Sequence, residues 1–310
     1  MLEPAIEIRN VCKRYRNKVV LADLSFSVTR GQTFAFLGRN GAGKTTTIQM
    51  LLGLNKPDSG SVAVLSTDPA IDPLKVRRTV GYLAEDQTMF GWMTVDQLIR
   101  FIAPFYPTWD HTLAASYAKQ FELPLRSKVR HLSKGQNVRL GLLLALTHRP
   151  EVVILDDPAL GLDPIMRRDF NRDLVTHLQA EGRTVLYSSH LLYEVEPVAD
   201  MLAILHEGRI VRQGTPEELR SQIQRLVMST ENVARVGTRL QILDGRVVAG
   251  EVILTVDHAE KAIAMLHREE IGHRAVRLNL DEIFEAFVAG CRKIRFDLPE
   301  AEPVLQHTWD

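Results

Sequence analysis

Apolar and polar residues alternate over 5–11 and again over 19–28, the period of half-buried strands. Residues 33–38 (TFAFLG) form a continuous apolar run that ends in glycine-rich sequence. From 44 to 54 the period changes: Ile48, Leu51 and Leu52 share one helical face, and Gly53 lies near the end. A KPDSG turn at 56–60 leads into a strand at 62–65. Residues 94–146 read as mostly helical, interrupted by Pro104, Pro107 and Pro124. Two more apolar runs, 152–155 (VVIL) and 184–189 (TVLYSS), have the unbroken hydrophobicity of strands covered on both faces. A helical pattern at 170–180 separates them, and 201–205 with 209–211 predicts a hairpin around Glu207 and Gly208. A strand-rich entry followed by this alternation predicts an α/β core.

After Pro216 the pattern weakens. It predicts a short helix at 217–226, several weak strands over 227–256 separated by Gly237, Gly245 and Gly250, and an amphipathic helix at 259–270 carrying Ala262, Ile263 and Leu266. A strand at 276–278 and a closing helix at 280–288 follow. The expected organisation is a main domain over 1–215, a small α+β accessory domain over 216–290 and a tail over 291–310. No repeat or low-complexity segment interrupts it.

At 310 residues and 45% hydrophobic, the chain has enough apolar surface for a large core. Lys plus Arg and Asp plus Glu balance at 38 each, so no global basic field argues for nucleic acid, and none is expected as a partner. The two cysteines, Cys12 and Cys291, form no disulfide framework, and the ten histidines show no ligand spacing. The amino-terminal segment lacks the apolar core of a signal peptide, and the longest apolar stretch, LGLLLAL at 140–146, is far shorter than a membrane span. The expectation is a soluble, cytoplasmic protein that reaches a membrane only through another chain.

Residues 38–45 (GRNGAGKT) match the phosphate-binding pattern G-x-x-x-x-G-K-[ST], between an apolar strand and a helix, which is the context that supports it. Gly38, Gly41 and Gly43 allow a tight turn that brings backbone N–H groups to phosphate oxygens. The helix beginning near Lys44 adds its unpaired N–H groups and positive dipole end. Lys44 is suited to the β- and γ-phosphates, and the Thr45 hydroxyl to Mg²⁺. This motif by itself indicates a nucleotide, without separating ATPase, GTPase and small-molecule kinase.

Asp156 follows the 152–155 strand, where a carboxylate can hold Mg²⁺ opposite Thr45. Asp157, next along, is placed to polarise a water for attack on the γ-phosphate. His190 ends the 184–189 strand. It can hydrogen-bond the γ-phosphate or the attacking water, although a histidine taken alone more often fills an ordinary structural role.

With these elements in order, and with LSKGQ at 132–136, the chain resembles the ATP-binding-cassette (ABC) family, specifically the ATP-binding subunit of a transporter. The resemblance covers roughly residues 4–215. It implies a P-loop NTPase of ABC type, with an antiparallel β subdomain, a RecA-like α/β core and a helical signature subdomain. It implies ATP and Mg²⁺ as ligands, bound by the loop residues Gly38, Arg39, Asn40, Gly41, Ala42, Gly43, Lys44, Thr45 and Thr46. Tyr15 matches the aromatic residue that stacks on adenine, Asp156 the magnesium aspartate, His190 the switch histidine, and GLD at 161–163 the loop at the dimer seam. Ser133, Gly135 and Gln136 belong to the signature, which in the family meets the ATP of a second, head-to-tail copy. The resemblance thus implies a homodimer driving a separate integral-membrane permease.

Three positions depart from the family pattern. Asp157 stands where the catalytic residue is normally glutamate, one methylene longer, so hydrolysis is expected to be slow and Asp157→Glu to accelerate it. Glu85, in VGYLAED at 80–86, stands where glutamine is usual. It is taken as the residue that reaches magnesium or water, in preference to Gln87. Lys134 interrupts the signature with a charge that either favours phosphate or faces solvent. The segment 278–288 resembles the closing element of exporter-type, two-component systems, although an amphipathic helix packed on a small domain reads the same way. The aromatic stretch 90–109, with Phe90, Trp92, Phe105 and Trp109, either lines the permease-receiving groove or packs in the core of the helical part. The core is the favoured reading.

Overall fold

The computed structural model describes residues 3–158, 178–179 and 181–290, with the side chains of Tyr193 and Glu194 set aside. The 161–163 loop, most of the helix expected at 170–180, Cys291 and the 291–310 tail lie outside the described residues. The chain divides into two compact units, the second beginning at Arg220.

In the first unit, β1 (Pro4–Tyr15), β2 (Lys18–Thr29) and β4 (Ser59–Val64) form an antiparallel sheet in the order β2-β1-β4. Their inward positions, among them Ile6, Ile8, Leu24 and Val28, are fully buried, as the alternation predicted. A six-stranded sheet stands in the order β5-β6-β7-β3-β8-β9, with β3 at Thr33–Gly38, β5 at Val80–Leu83, β6 at Val152–Asp156, β7 at Thr184–Ser189, β8 at Met201–His206 and β9 at Arg209–Gly214. The first five are parallel and β9 is antiparallel to β8. Every residue of β3, β6 and β7 is buried, which explains their unbroken apolar runs. Phe26 of β2 stacks on Phe34 and Phe36 of β3, both with centroids 5.2 Å apart, fusing the two sheets into one core.

α1 (Lys44–Leu51) leaves β3 through the glycine-rich loop, and α2 (Pro73–Thr79) precedes β5. α3 (Val95–Ile102), α4 (His111–Gln120) and α5 (Lys134–Leu146) make the helical part. Each starts on a side-chain cap: Thr94 with Gln97, Asp110, and Ser133 with Gln136. Such caps contribute about 1 kcal/mol each. α5 buries Leu140, Leu142, Leu143 and Leu146, each contributing about 1.5–3 kcal/mol by burial. Its backbone approaches β5 so closely that a Cβ on Gly81 would lie 2.3 Å from the Ala145 carbonyl oxygen. α6 (Leu192–Val195) follows β7. α7 (Pro216–Gln222) starts at the expected boundary after residue 215 and spans the division at Arg220.

The second unit is a β-α-β-β-α-β arrangement: β10 (Gln224–Ser229), α8 (Thr230–Val236), β11 (Gln241–Val248), β12 (Glu251–Asp257), α9 (Ala259–Arg268) and β13 (Arg274–Arg277). The sheet is antiparallel in the order β11-β12-β10-β13, the split βαβ topology of ferredoxin-like folds. Leu226, Met228, Val252, Leu254 and Val256 meet Val233, Val236, Ala262 and Leu266 of the two helices. α10 (Leu280–Val288) buries Leu280, Ile283 and Phe287 and lies against β11. The weak strand pattern expected over 227–256 is therefore corrected in one respect: 230–236 is a helix capped by Ser229.

Candidate active site

Parallel strands point their carboxyl ends to one edge, and in open α/β sheets that edge holds the ligand. Here β3 ends at Gly38, β6 at Asp156 and β7 at Ser189. The register pairs Leu37 with Ser189 and Asp156 with Ser188, so the phosphate loop, both aspartates and His190 meet at this edge.

Gly38 has no room for a side chain, because a Cβ would lie 2.8 Å from the Leu205 carbonyl oxygen. Gly41 has φ 82° and open space around it, so its requirement is conformational. Gly43, at the start of α1, has φ 117°, and a Cβ would lie 2.6 Å from Leu21 Cδ2. Arg39, Asn40 and Thr45 are exposed, Thr46 is half-buried and Ala42 is buried. Lys44 is buried, and its Nζ donates to the Gly38 carbonyl at 2.7 Å, closing the loop on itself.

Asp156 is buried and accepts a hydrogen bond from Ser188 Oγ at 2.6 Å. Its carboxyl is pushed above the usual range, chiefly by burial. The Ser188 bond and Lys44 act against that rise, and the charges of Asp157 and Glu85 add to it. Ser188 went unremarked in the sequence. The available signal was the polar pair that ends an otherwise apolar strand, TVLYSS.

Asp157 adopts φ 41°, a left-handed conformation that costs a non-glycine residue about 1–2 kcal/mol. Its N–H donates to the Ser188 carbonyl at 3.0 Å. Its Oδ1 lies 2.9 Å from His190 Nδ1 and accepts from the His190 N–H at 3.3 Å, while Oδ2 lies 3.8 Å from Lys44 Nζ. Both carboxylate oxygens are thereby turned toward neighbouring cationic or N–H groups.

Glu85 is exposed on the loop after β5, and its charge reaches both Asp156 and Tyr82. The Tyr82 hydroxyl is pushed up to about 12, first by burial and then by Asp156 and Glu85. Gln87, the alternative, packs instead on α5, where its Oε1 lies 2.5 Å from the position a Cβ on Gly141 would take. Tyr15 is exposed at the end of β1, with its Oη accepting from Asn55 Nδ2.

The signature residues stand on the helical part. Ser133 Oγ accepts from the Gln136 N–H, and Gln136 Oε1 accepts from the Ser133 N–H. Among the described residues neither bonds to the phosphate loop. Gly135 follows in the first turn of α5, and Lys134 is exposed. The aromatic stretch corrects the expectation of a core. Trp92 is 65% and Phe105 60% exposed, and Phe90 and Phe101 are exposed as well. Phe90 meets Phe101 at 5.4 Å and Phe101 meets Phe105 at 5.7 Å, forming a surface cluster. Trp109 lies apart, beside Tyr106, whose ring stacks on buried His148.

These residues suit a nucleoside triphosphate with Mg²⁺. The loop glycines leave a cradle without side chains, and Lys44 supplies a buried cation. Among the described residues no three carboxylate, histidine or cysteine side chains gather to hold an ion by themselves. That donor set fits Mg²⁺, which is bound through one or two protein groups together with phosphate oxygens and water.

The profile of the family described as ABC transporter matches residues 21–160. The chain is 35% identical over 219 residues to the Nod factor export ATP-binding protein I of Burkholderia orbicola (strain AU 1054), covering 69% of this chain and 72% of that protein. It is 32% identical over 225 residues to the probable multidrug ABC transporter ATP-binding protein YbhF of Escherichia coli (strain K12), covering 71% of this chain. The match spans only 39% of YbhF's length. A solved structure of the ATP binding subunit of an ABC transporter superposes with a TM-score of 0.64 at 30% identity, covering 70% of this chain and 92% of that one.

Proposed function

The chain belongs to the ATP-binding-cassette transporter family, and from that premise we propose that it is the ATP-hydrolysing subunit of an exporter, acting as a head-to-tail dimer at the cytoplasmic face of a membrane. The observation that carries this reading is the meeting of the Lys44 loop, Asp156, Asp157 and His190 at one sheet edge, with the signature residues held elsewhere on the helical part. A site divided in this way calls for a second copy. Ser133, Gly135 and the N–H groups that open α5 supply phosphate donors to the partner's nucleotide.

In this mechanism the 38–46 loop binds the β- and γ-phosphates through backbone N–H groups. Lys44 exchanges its Gly38 carbonyl for phosphate oxygen. Thr45 and Asp156 would hold Mg²⁺, with Ser188 orienting the Asp156 carboxylate, and Glu85 would reach the same ion or the attacking water. Bound there, Mg²⁺ would offset the charge that develops on the phosphate oxygens. His190 donates to the γ-phosphate or the water. Asp157 accepts the water's proton from a retracted position, and hydrolysis is slow. Closure of the dimer around ATP and opening after hydrolysis move a permease docked on the exposed aromatic cluster at Phe90, Trp92, Phe101 and Phe105. Export as the direction rests on the 278–288 segment and on the relative named for Nod factor export.

A second reading is a regulatory cassette that binds ATP with little turnover, favoured by the commitment of Asp157 to His190 and Lys44. The test is sedimentation of the His190→Ala protein with ATP and Mg²⁺. The proposal expects an ATP-dependent dimer that Ser133→Arg abolishes. A protein that stays monomeric at saturating ATP overturns it.

A further inference from the structure

We infer that Asn55 and Lys13 are positioning residues for the ring of Tyr15, fixing it as a one-sided stacking platform for the nucleotide base. The inference rests on Tyr15 binding the base, as read above.

β1 and β4 pair Cys12 with Ser59, so the turn at 55–58 runs beside Lys13 and Tyr15. Asn55 uses both ends of its amide there. Its Oδ1 accepts from the Lys56 N–H at 2.9 Å, and its Nδ2 donates to Tyr15 Oη. The Asn55 N–H in turn bonds to the Gln49 carbonyl of α1, the helix that opens with Lys44. A single short helix therefore carries the phosphate loop at one end and, just past its other end, the group that holds Tyr15.

Lys13 fixes the ring from a face. Its Nζ lies 5.5 Å from the ring centroid, within cation–π range. That ammonium is itself held, donating to the Lys56 carbonyl at 2.7 Å and to Asp58 Oδ1 at 2.9 Å, and its side chain is 12% exposed. Asp58 Oδ2 also accepts from the Arg14 N–H at 2.7 Å, and the Lys13 bond, then the Arg14 bond, hold its carboxyl below the usual range. The exposed end of β1 is thus tied to the 55–58 turn at three successive residues. With a cation over one face and the hydroxyl tethered, one face of Tyr15 is left for a base. An aromatic side chain held in advance loses less conformational freedom on binding, which raises affinity for the base without touching the phosphates.

The test compares ATP with inorganic tripolyphosphate, which has the phosphates and no base, by calorimetry on the full chain carrying Asn55→Ala, Tyr15→Phe, Tyr15→Ala or Lys13→Met. ATP affinity is expected to fall about 3- to 10-fold in Asn55→Ala and Tyr15→Phe. Tripolyphosphate affinity is expected to hold, and KM to rise while kcat does not. Combining Asn55→Ala with Tyr15→Phe should cost no more than either alone, because the two remove one interaction. If Tyr15→Ala weakens ATP while Asn55→Ala, Tyr15→Phe and Lys13→Met all bind normally, the positioning role is wrong and base stacking stands. If Tyr15→Ala also binds ATP normally, the stacking reading falls with it. Equal loss of tripolyphosphate in Asn55→Ala overturns the inference by making the residue part of the general scaffold.

Discussion

Asp157→Glu asks whether a single methylene limits the chemistry. In the wild-type chain the Asp157 carboxylate is drawn back on both oxygens, to His190 Nδ1 at 2.9 Å and toward Lys44 Nζ at 3.8 Å, from a backbone held at φ 41°. Glutamate at the same position extends the reach by about 1.5 Å, one carbon–carbon bond. A displacement near 1 Å costs on the order of 10²-fold in a positioned reaction. Part of that gain is offset, because the longer side chain gives up the His190 contact and has one more rotor to order. The expected net effect is about a 10-fold rise in kcat, or about 1.4 kcal/mol off the barrier. The assay is Mg²⁺-dependent phosphate release at saturating ATP, at protein concentrations where the dimer is measured in parallel. A kcat that is unchanged or lower, with the dimer intact, refutes the reasoning and favours the regulatory reading.

Three further outcomes follow from named contacts. Ser188→Ala removes the 2.6 Å donor to Asp156 and should weaken Mg²⁺ dependence of ATP binding about 10-fold, read as the shift in a magnesium titration. Trp92→Ala with Phe105→Ala removes exposed rings, so thermal stability and ATP affinity should stay as they are while capture of the permease is lost. His148 is buried against Tyr106, and burial pushes its imidazole down to about 4 against an unfolded value near 6.5. The unfolded chain therefore binds the extra proton between pH 6.5 and about 4, and stability present above 6.5 is lost as pH falls through that window, by up to about 3 kcal/mol. His148→Phe should flatten this acid limb in melting temperatures recorded from pH 7 to 5.

The sequence made the sheet edge legible because its strands are buried on both faces and write themselves as unbroken apolar runs. The phosphate loop was legible because its glycines answer to backbone geometry at fixed spacing. Less could be read where contact depends on strand order. Asp157 and His190 are far apart in the chain and meet only because β6 and β7 are parallel neighbours in register. The same pairing hides Ser188, whose hydroxyl gains its purpose from Asp156 across the ladder. The aromatic stretch misled because rings such as Phe90, Trp92 and Phe105 suit a core and a docking surface alike, and chain order does not show which way they face. In the second unit, 230–236 offers only Val233 and Val236 as buried anchors amid strand-like neighbours, so its short helix could not be told from the strands around it.

The most direct test of the account is recovery of tagged His190→Ala protein from native membranes in mild detergent with ATP and Mg²⁺, followed by mass spectrometry of what comes with it. The account predicts a multi-spanning membrane protein in stoichiometric amount, lost when Trp92 and Phe105 are replaced by alanine. A dimer recovered free of any membrane protein, or one carrying ribosomal or nucleic acid partners, would contradict it.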